Sequence, residues 1–508
     1  MNSHPFSKVL IANRGEIALR IIRACREMGL ASVAVYSEPD RESLHVRHAD
    51  EAVALGGKTS LESYLRIDKL IAAAKATGAG AIHPGYGFLS ERAEFAQAVM
   101  DAGLVFIGPP PSAIKSMGDK TEARRLMKAA GMPMVPGSEG AVNSAEEARK
   151  VAKTVGYPVM LKARAGGGGK GIRRVEKEED LEASFRQASS EAQKAFGDGA
   201  LYLEKVIYPA RHVEIQVFAD AHGNGVHLNE RECSLQRRSQ KLVEETPSLF
   251  VTPELRKAMT ECSVKAALSI GYVGAGTMEF LVGPDRKFYF IEMNTRLQVE
   301  HTVTEMVTGL DLVREQLRVA LGEKLSFAQK DVVSRGHSIQ IRVCCEDPHN
   351  NFSPSTGVIS SLQAPGGAHV RFDSSLYEGQ EIGLYYDPMV AKLVVWGATR
   401  DDAVERLRQA VQEFHATGIK TSLPVFLQLA DDKDFRSFNF HTRWLEDFVK
   451  RAAAPDEDTL TDAALCAVAL AHLKRKAPRQ APASGSESGR GHSGWRQAGL
   501  FDQLGRWR

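Results

Sequence analysis

Thr277-Met278-Glu279-Phe280-Leu281-Val282-Gly283-Pro284-Asp285-Arg286-Lys287-Phe288-Tyr289-Phe290-Ile291-Glu292-Met293 holds two strand-like runs, Thr277 to Val282 and Lys287 to Met293, around Gly-Pro-Asp-Arg. Gly and Pro punctuate a chain where it turns, so the stretch reads as a β-hairpin. With a four-residue loop, Val282 pairs with Lys287 and Glu279 with Phe290, and Glu279 shares a face with Glu292. Their α-carbons are then expected roughly 7–8 Å apart, a span one or two divalent cations can bridge. A loop of odd length would turn the two glutamates to opposite faces. Asn294 adds an oxygen ligand just beyond, and a set of hard oxygens favours Mg²⁺ over zinc. The competing reading is a pair of carboxylates on a solvated hairpin face.

Working outward, Arg296, Gln298, Glu300 and His301 follow in alternation with Leu297 and Val299. A cation, an amide and a carboxylate on one face can hold a small oxyanion and take its proton. Glu230-Arg231-Glu232-Cys233-Ser234-Leu235-Gln236-Arg237-Arg238, continuing to Lys241 and Glu244-Glu245, is a charge run that by itself reads as a solvated face. Gly166 to Gly171 satisfies GxGxxG spacing, but Ile172 to Val175 after it reads as strand rather than helix, and no Ser or Thr follows Lys170. Neither a dinucleotide fingerprint nor a P-loop fits that context. What remains is a loop of small residues whose backbone N–H groups can close over phosphates, flanked by Lys162 and Lys170.

The N-terminal stretch Lys8 to Ala12 is an apolar strand, followed at helical spacing by Ile17, Leu19, Ile21, Ile22, Cys25 and Met28, then Gly29 and a second strand at Ser32 to Tyr36. That is a βαβ unit, and Pro109-Pro110-Pro111 marks its boundary near residue 115. Between about 119 and 330 the pattern is mixed, with a helix at Thr121 to Ala130 and strands at Val159 to Lys162, Leu201 to Lys205 and Arg211 to Ala219. From Gly336 on, alternating runs at Ser338 to Val343 and Leu393 to Trp396 predict a mainly β unit closed by a helix at Arg400 to Phe414. Past 450 the chain is rich in Ala, Pro, Ser and Gly, and Pro478 to Ser493 reads as linker.

With 508 residues, 43% hydrophobic and 25% charged, the chain has the composition of about three globular units rather than a disordered one. Its net charge of +2 hides an asymmetry: Lys474 to Arg508 carries +6 and the first 473 residues −4. A mildly acidic body gives no basis for nucleic-acid binding. Six cysteines without a CxxC pair form neither a disulfide framework nor a zinc site. No charged n-region with an apolar h-region opens the sequence, and no run of 18 apolar residues occurs. The expected setting is the cytoplasm, reducing and without a membrane.

Several segments together resemble the biotin carboxylase family, an ATP-grasp component of biotin-dependent carboxylases: HPGYGFLSE at 83–91, MGDK at 117–120, EKVIYPARHVEIQV at 204–217, ERECSLQRR at 230–238 and EMNTRLQVEH at 292–301. The resemblance runs from about Lys8 to about 449. It implies an α/β and α+β fold with a βαβ domain at 1–115, an ATP-grasp domain at 116–335 whose mobile glycine-loop lid spans about 135–205, a mainly β domain at 336–449, and a basic, partly flexible tail at 450–508.

The family's reaction joins bicarbonate to carrier-borne biotin at the expense of ATP. Carried over by matching motif, Lys120, Lys162, Glu204, Lys205, His212, Gln236 and the glycines Gly167, Gly168 and Gly169 are expected to contact ATP. Glu279, Glu292 and Asn294 would hold Mg²⁺ or Mn²⁺. Lys241, Arg296, Gln298 and Val299 would surround bicarbonate, Glu300 would take its proton, and Arg342 would stabilise the biotin enolate. Arg164-Ala165, Ser239 and Thr302 stand where the family more often has glycine, histidine and proline. No Ala-Met-Lys-Met biotinylation site occurs, so biotin is expected on a separate carrier protein, with carboxyltransferase subunits as further partners. A homodimer is expected through the region of Arg20 and Arg23. The pathway expected is acetyl-CoA carboxylase in fatty acid biosynthesis, with propionyl-CoA, other acyl-CoA or pyruvate carboxylase as the alternative. A carbamoyl-phosphate or purine-pathway ATP-grasp ligase would share Glu279, Glu292 and Asn294 without a reason to keep Arg342, and an ATP-binding regulatory subunit would not turn over.

Overall fold

Lys8–Ile11 is buried along most of its length, the pattern of a strand covered on both faces. In the computed structural model it is the centre of a five-stranded sheet in the order Glu51–Ala54, Ala31–Tyr36, Lys8–Ile11, Ala81–His83, Val105–Phe106, with every pairing parallel. The winding reverses at Lys8–Ile11, so the loops leaving it and Ala81–His83 open a crevice. Asn13 stitches that crevice by donating to the carbonyls of Pro84 and Tyr86 at 2.7 and 2.8 Å. Gly85 is required between them: its φ is +63°, and a Cβ would lie 2.9 Å from the Asn13 amide. The structure describes residues 5–164 and 171–452 together with Leu465 and Val468. The chain divides into two units, Met1–Ala452 and Ala453–Arg508; of the second, the two described residues are helical and exposed.

The second sheet has eight strands, all antiparallel, in the order Phe288–Asn294, Gly274–Val282, Arg211–Ala219, Gly225–Arg237, Gln240–Thr246, His337–Cys344, Met389–Gly397, Val370–Ser374. It continues without a break past residue 335, because Gln240–Thr246 pairs with His337–Cys344. Helices Arg400–Glu413, Leu423–Asp431 and Trp444–Arg451 cover its far end over a core that includes Ile339, Ile341, Leu393 and Leu407. A separate three-stranded sheet, ordered Ile172–Val175, Val159–Ala163, Leu201–Lys205, packs helices Ala145–Val155 and Leu181–Phe196 around its own core of Leu161, Leu181, Ala188 and Leu203. This small lobe carries the two ends of the glycine run, whose residues 165–170, including Gly167, Gly168 and Gly169, lie outside those described.

The hairpin corrects the register expected from sequence. Val282 pairs with Phe288, so five residues rather than four form the loop. That odd length alone would have separated the glutamates. A bulge restores them: Phe280 pairs with Phe290 but Glu279 pairs with Glu292, leaving Ile291 as the extra residue. Glu279 and Glu292 are therefore direct cross-strand partners instead of diagonal ones.

Candidate functional site

The register places a row of charges across four strands: Glu292 opposite Glu279, Glu279 opposite Glu214, Glu214 opposite Arg231. Opposed carboxylates repel unless cations enter between them. Arg231, fully buried, bonds Glu214 at 2.5 Å and spends its remaining N–H groups on Gln216, Thr304, Thr277 and Gln298 at 2.6 to 3.3 Å. Lys241 reaches Glu214, Glu279 and Glu300 at 2.6, 2.8 and 2.7 Å, using all three of its protons. Arg342 bridges Glu244 at 2.6 Å and Glu300 at 3.0 Å. Glu300 ends the irregular segment Thr295–Glu300 and stands at the N-cap of helix His301–Thr308, where the chain enters the helix.

Burial by itself pushes the Glu300 carboxyl up, but Lys241, Arg342 and Arg231 outweigh it and hold the group far below the usual carboxylate range. Glu279 is likewise held low, with burial opposed by Lys241 and His212. The Lys241 ammonium loses by burial and gains more from Glu214, Glu279 and Glu300, so it stays charged. Glu292, exposed to the cleft it lines, goes the other way: desolvation by the cleft walls and the facing Glu279 charge raise it.

That contrast tests the metal reading. Five carboxylates (Glu214, Glu244, Glu279, Glu292, Glu300) meet three cations (Arg231, Lys241, Arg342), and the excess negative charge falls at Glu244, raised by burial and by Glu300, and at Glu292 opposite Glu279. A divalent cation fits the Glu279–Glu292 end on chemistry as well as charge, since the donors are hard oxygens. Asn294 belongs to the same corner: its amide donates to Glu279 at 2.8 Å, and its oxygen accepts from Arg296 at 2.9 Å. Two other groupings, His212–Glu214–Glu279 and Glu214–Cys233–Glu300, are compact enough to hold an ion. Lys241 already stands between the carboxylates of both, and burial raises the Cys233 thiol well above its ordinary value, which disfavours the thiolate a metal needs.

Beside this corner opens a cleft of about 310 Å³, lined by Lys120, Arg124, Lys162, Glu204, Glu91, Glu292 and Asn294 among others. Lys120 is the first residue of helix Lys120–Ala129, whose N-terminus is capped by Asp119. Lys162 and Arg124 share Glu204, at 2.5 and 2.6 Å on separate oxygens. Other expected nucleotide contacts are placed elsewhere. The Lys205 ammonium bonds the carbonyls of Gly156 and Tyr157 at 2.9 and 2.8 Å. His212 lies 3.0 Å from Glu279, and its Nδ1 accepts from the Gln236 amide at 2.8 Å, so both stand beside the carboxylate row. Of the expected oxyanion set, Gln298 donates to Glu279 at 3.0 Å, the Val299 carbonyl accepts from Lys392 at 3.2 Å, and Arg296 turns to Glu91 at 2.9 Å.

Sequence reasoning does not single out Glu91, Glu214, Glu244 or Arg231, although each sits inside a quoted segment or charge run. No spacing signal in the sequence marks them: Glu230, Glu232, Glu244 and Glu245 are all buried, so the run that reads as a solvated face is interior. Among the departures, Arg164 is tied by its guanidinium to Asp198 at 2.9 Å. Arg238 and Ser239 have φ of 49° and 66° in a two-residue turn between Gly225–Arg237 and Gln240–Thr246, the geometry of a type I′ hairpin. Thr302 donates to Gln340, which donates to Glu244 at 2.9 Å, so its hydroxyl orients the partner of Arg342. Arg20 is spent within the chain on Glu305 and Asp311 at 3.0 and 2.7 Å, and Arg23 is exposed.

Three family descriptions match in succession: "Biotin carboxylase, N-terminal domain" over residues 5–114, "Carbamoyl-phosphate synthase L chain, ATP binding domain" over 119–328 and "Biotin carboxylase C-terminal domain" over 340–447. The chain is 51% identical over 442 residues to biotin carboxylase 1 of Bacillus subtilis, covering 87% of this chain and 98% of that protein. It is 49% identical over 443 residues to a pyruvate carboxylase component of Methanothermobacter thermautotrophicus, covering 87% and 90%. The crystal structure of the biotin carboxylase domain dimer of Hydrogenobacter thermophilus 2-oxoglutarate carboxylase, in complex with MgADP, ADP and bicarbonate, superposes with a TM-score of 0.83 at 48% identity, covering 89% of this chain and 99% of that one.

Proposed function

The chain belongs to the biotin carboxylase family, and on that premise we propose that its Lys241–Glu300–Arg342 cluster is where bicarbonate, the γ-phosphoryl group of ATP and biotin meet. The observation that carries this reading is Glu300 gripped by two cations from different strands, next to a cleft lined by Lys120 and Lys162. Lys120 and Lys162 hold the phosphates, and Lys162 must leave Glu204 to do so. Glu279, Glu292 and Asn294 hold Mg²⁺, with Mn²⁺ as its substitute; when bound, the ion neutralises charge on the transferring phosphoryl group.

Bicarbonate enters among Lys241, Arg296, Gln298 and the Val299 backbone, and it competes with Glu300 for Lys241. That competition matters, because a carboxylate held so far down is a weak base. Each cation that moves to the substrate returns basicity to Glu300 just as the proton must be taken. The deprotonated oxyanion attacks the γ-phosphorus, ADP leaves, and carboxyphosphate breaks into CO₂ and phosphate. Phosphate accepts the ureido proton of biotin, Arg342 stabilises the charge on the ureido oxygen, and the ureido nitrogen takes up CO₂. Carboxyphosphate is short-lived in water, so the small lobe bearing the glycine run closes first.

The carrier is a separate biotinylated protein and the acceptor belongs to a carboxyltransferase. Acetyl-CoA is the preferred acceptor, and pyruvate or another acyl-CoA the alternative; one relative of similar identity is named for pyruvate carboxylase, another simply biotin carboxylase. A homodimer is supported by the dimeric form of the H. thermophilus domain. No described helix is long and apolar enough to cross a membrane, and the five described cysteines are free; a cytoplasmic setting accords with both. We place the domain limits at 115/116, 335/336 and 449/450, in keeping with the matched spans. ADP release measured with and without bicarbonate and free biotin tests the reaction. The expected result is release that needs bicarbonate and rises with biotin; release indifferent to both points to another ATP-grasp ligase, and ATP binding without release to a regulatory role.

A further inference from the structure

Lys392 lies on Met389–Gly397 directly opposite Arg342 on His337–Cys344. Two cations at such a position repel unless each is neutralised. Arg342 is answered by Glu244 and Glu300. Lys392 has no exposed surface, and its ammonium lies 3.2 Å from Glu16 and 3.8 Å from Asp373. It also donates to the Val299 carbonyl at 3.2 Å and stands 5.5 Å from the centre of the Tyr86 ring. These contacts come from four parts of the fold: Glu16 from the first helix, Gly15–Glu27; Asp373 from the last strand of the large sheet; Val299 from the irregular segment before Glu300; and Tyr86 from the loop after Ala81–His83.

Desolvating an ammonium is unfavourable, and an apolar side chain would fill an interior strand position without that cost. What the ammonium supplies and a hydrocarbon cannot is a donor for Val299. The segment Thr295–Glu300 has neither helix nor strand to fix it, so its backbone groups depend on partners from outside. The carbonyl that Lys392 holds belongs to the peptide linking Val299 to Glu300.

We propose that Lys392 is a positioning residue for proton abstraction: by clamping the Val299–Glu300 peptide it fixes where the Glu300 carboxylate stands between Lys241 and Arg342, and Glu16 of the first helix holds Lys392 in turn. The inference deepens the reading given under Proposed function and rests on it. The N-terminal helix thereby governs the geometry of the base without touching substrate.

The test compares wild type with Lys392→Met, Glu16→Gln/Lys392→Met and Glu16→Gln, all as full-length chains. The double variant removes the carboxylate that Lys392→Met would leave without its counter-ion, so it separates folding from positioning. Initial rates of ADP release are measured with bicarbonate varied and, separately, with ATP varied, alongside the thermal midpoint. The expected result for a folded double variant is a kcat lower by about tenfold to a hundredfold, the range a misplaced reacting group produces, with a raised KM for bicarbonate and an unchanged KM for ATP. A folded double variant with wild-type kcat and bicarbonate KM overturns the proposal. Should neither Lys392 variant fold, Glu16→Gln decides: a raised bicarbonate KM supports the proposal, and an unchanged one overturns it. Wild-type protein without bicarbonate-dependent release would instead remove the functional reading beneath it.

Discussion

Glu300 is asked to be both anchored and basic. Lys241, Arg342 and Arg231 keep its carboxylate ionised, and the same cations make it reluctant to take a proton until substrate draws them off. Glu300→Gln retains the shape and loses the proton acceptor. Bicarbonate- and biotin-dependent ADP release should fall by at least about a hundredfold, while displacement of a fluorescent ATP analogue shows nucleotide affinity little changed; turnover near the wild-type rate would refute the assigned base. Glu292 carries the opposite signature, raised by desolvation and by Glu279. Glu292→Gln should therefore raise the Mg²⁺ concentration for half-maximal release by about tenfold or more, the usual scale for a lost ligand or its support. It should not lower the thermal midpoint, because a repulsion is removed. A midpoint that drops with the Mg²⁺ dependence intact would show a structural carboxylate. At this scale the sequence was legible where chemistry is concentrated in a short motif, as at Glu292 to His301. It was not legible at Glu214, Arg231 and Glu244, because a charged residue on an interior strand looks in sequence like one facing solvent, and only the register shows what neutralises it.

At the scale of elements the two hairpin strands were readable from their apolar runs and the Gly283-Pro284 turn, but their register was not. Two departures from regular pairing, a five-residue loop and the bulge at Ile291, cancel each other in the placement of Glu279 and Glu292, and neither leaves a mark in hydrophobic alternation. Exchanging the two residues, Ile291→Glu with Glu292→Ile, keeps the loop and the bulge but moves the carboxylate to the unpaired bulge position, off its pairing with Glu279. Mg²⁺-dependent ADP release should be lost in this variant while its far-ultraviolet circular dichroism remains that of the wild type. Retained release would mean that Glu292 does not act from this register. The segment after the hairpin also departs from the regular pattern. Alternation of Arg296, Gln298 and Glu300 read as one face of a strand, yet the backbone there is irregular, and the three side chains reach different partners: Glu91, Glu279 and Lys241.

For the whole molecule, the N-terminal βαβ winding was foreseeable from the Lys8 to Tyr36 pattern, whereas the continuity of the large sheet past residue 335 was not. Pairing between Gln240–Thr246 and His337–Cys344 spans roughly a hundred residues of sequence, and no local signal specifies so distant a partner. One consequence is that Glu245, on the inner strand, is locked to Arg400 at 2.7 Å and His337 at 2.6 Å. Burial opposes its ionisation, but Arg400 and His337 prevail and bring the carboxyl down to about 2. A folded value below the unfolded one stabilises the native state above about pH 4.3. That contribution, roughly 3 kcal/mol on the scale of 1.36 kcal/mol per pKa unit, is lost as the pH falls towards 2. Thermal midpoints should decline through this window, and Glu245→Gln should be less stable at pH 7 with a shallower acid decline; an equally steep decline in the variant would assign the acid loss to other groups.

The central claim is that an oxygen of bicarbonate attacks the γ-phosphoryl group of ATP beside Glu300. Wild-type protein incubated with ATP, Mg²⁺, free biotin and ¹⁸O-labelled bicarbonate gives the most direct reading, by mass analysis of the phosphate released. One labelled oxygen should pass from bicarbonate into each phosphate. Phosphate bearing no label beyond solvent exchange, released at the same rate as ADP, would mean that water and not bicarbonate takes the phosphoryl group, and would contradict it.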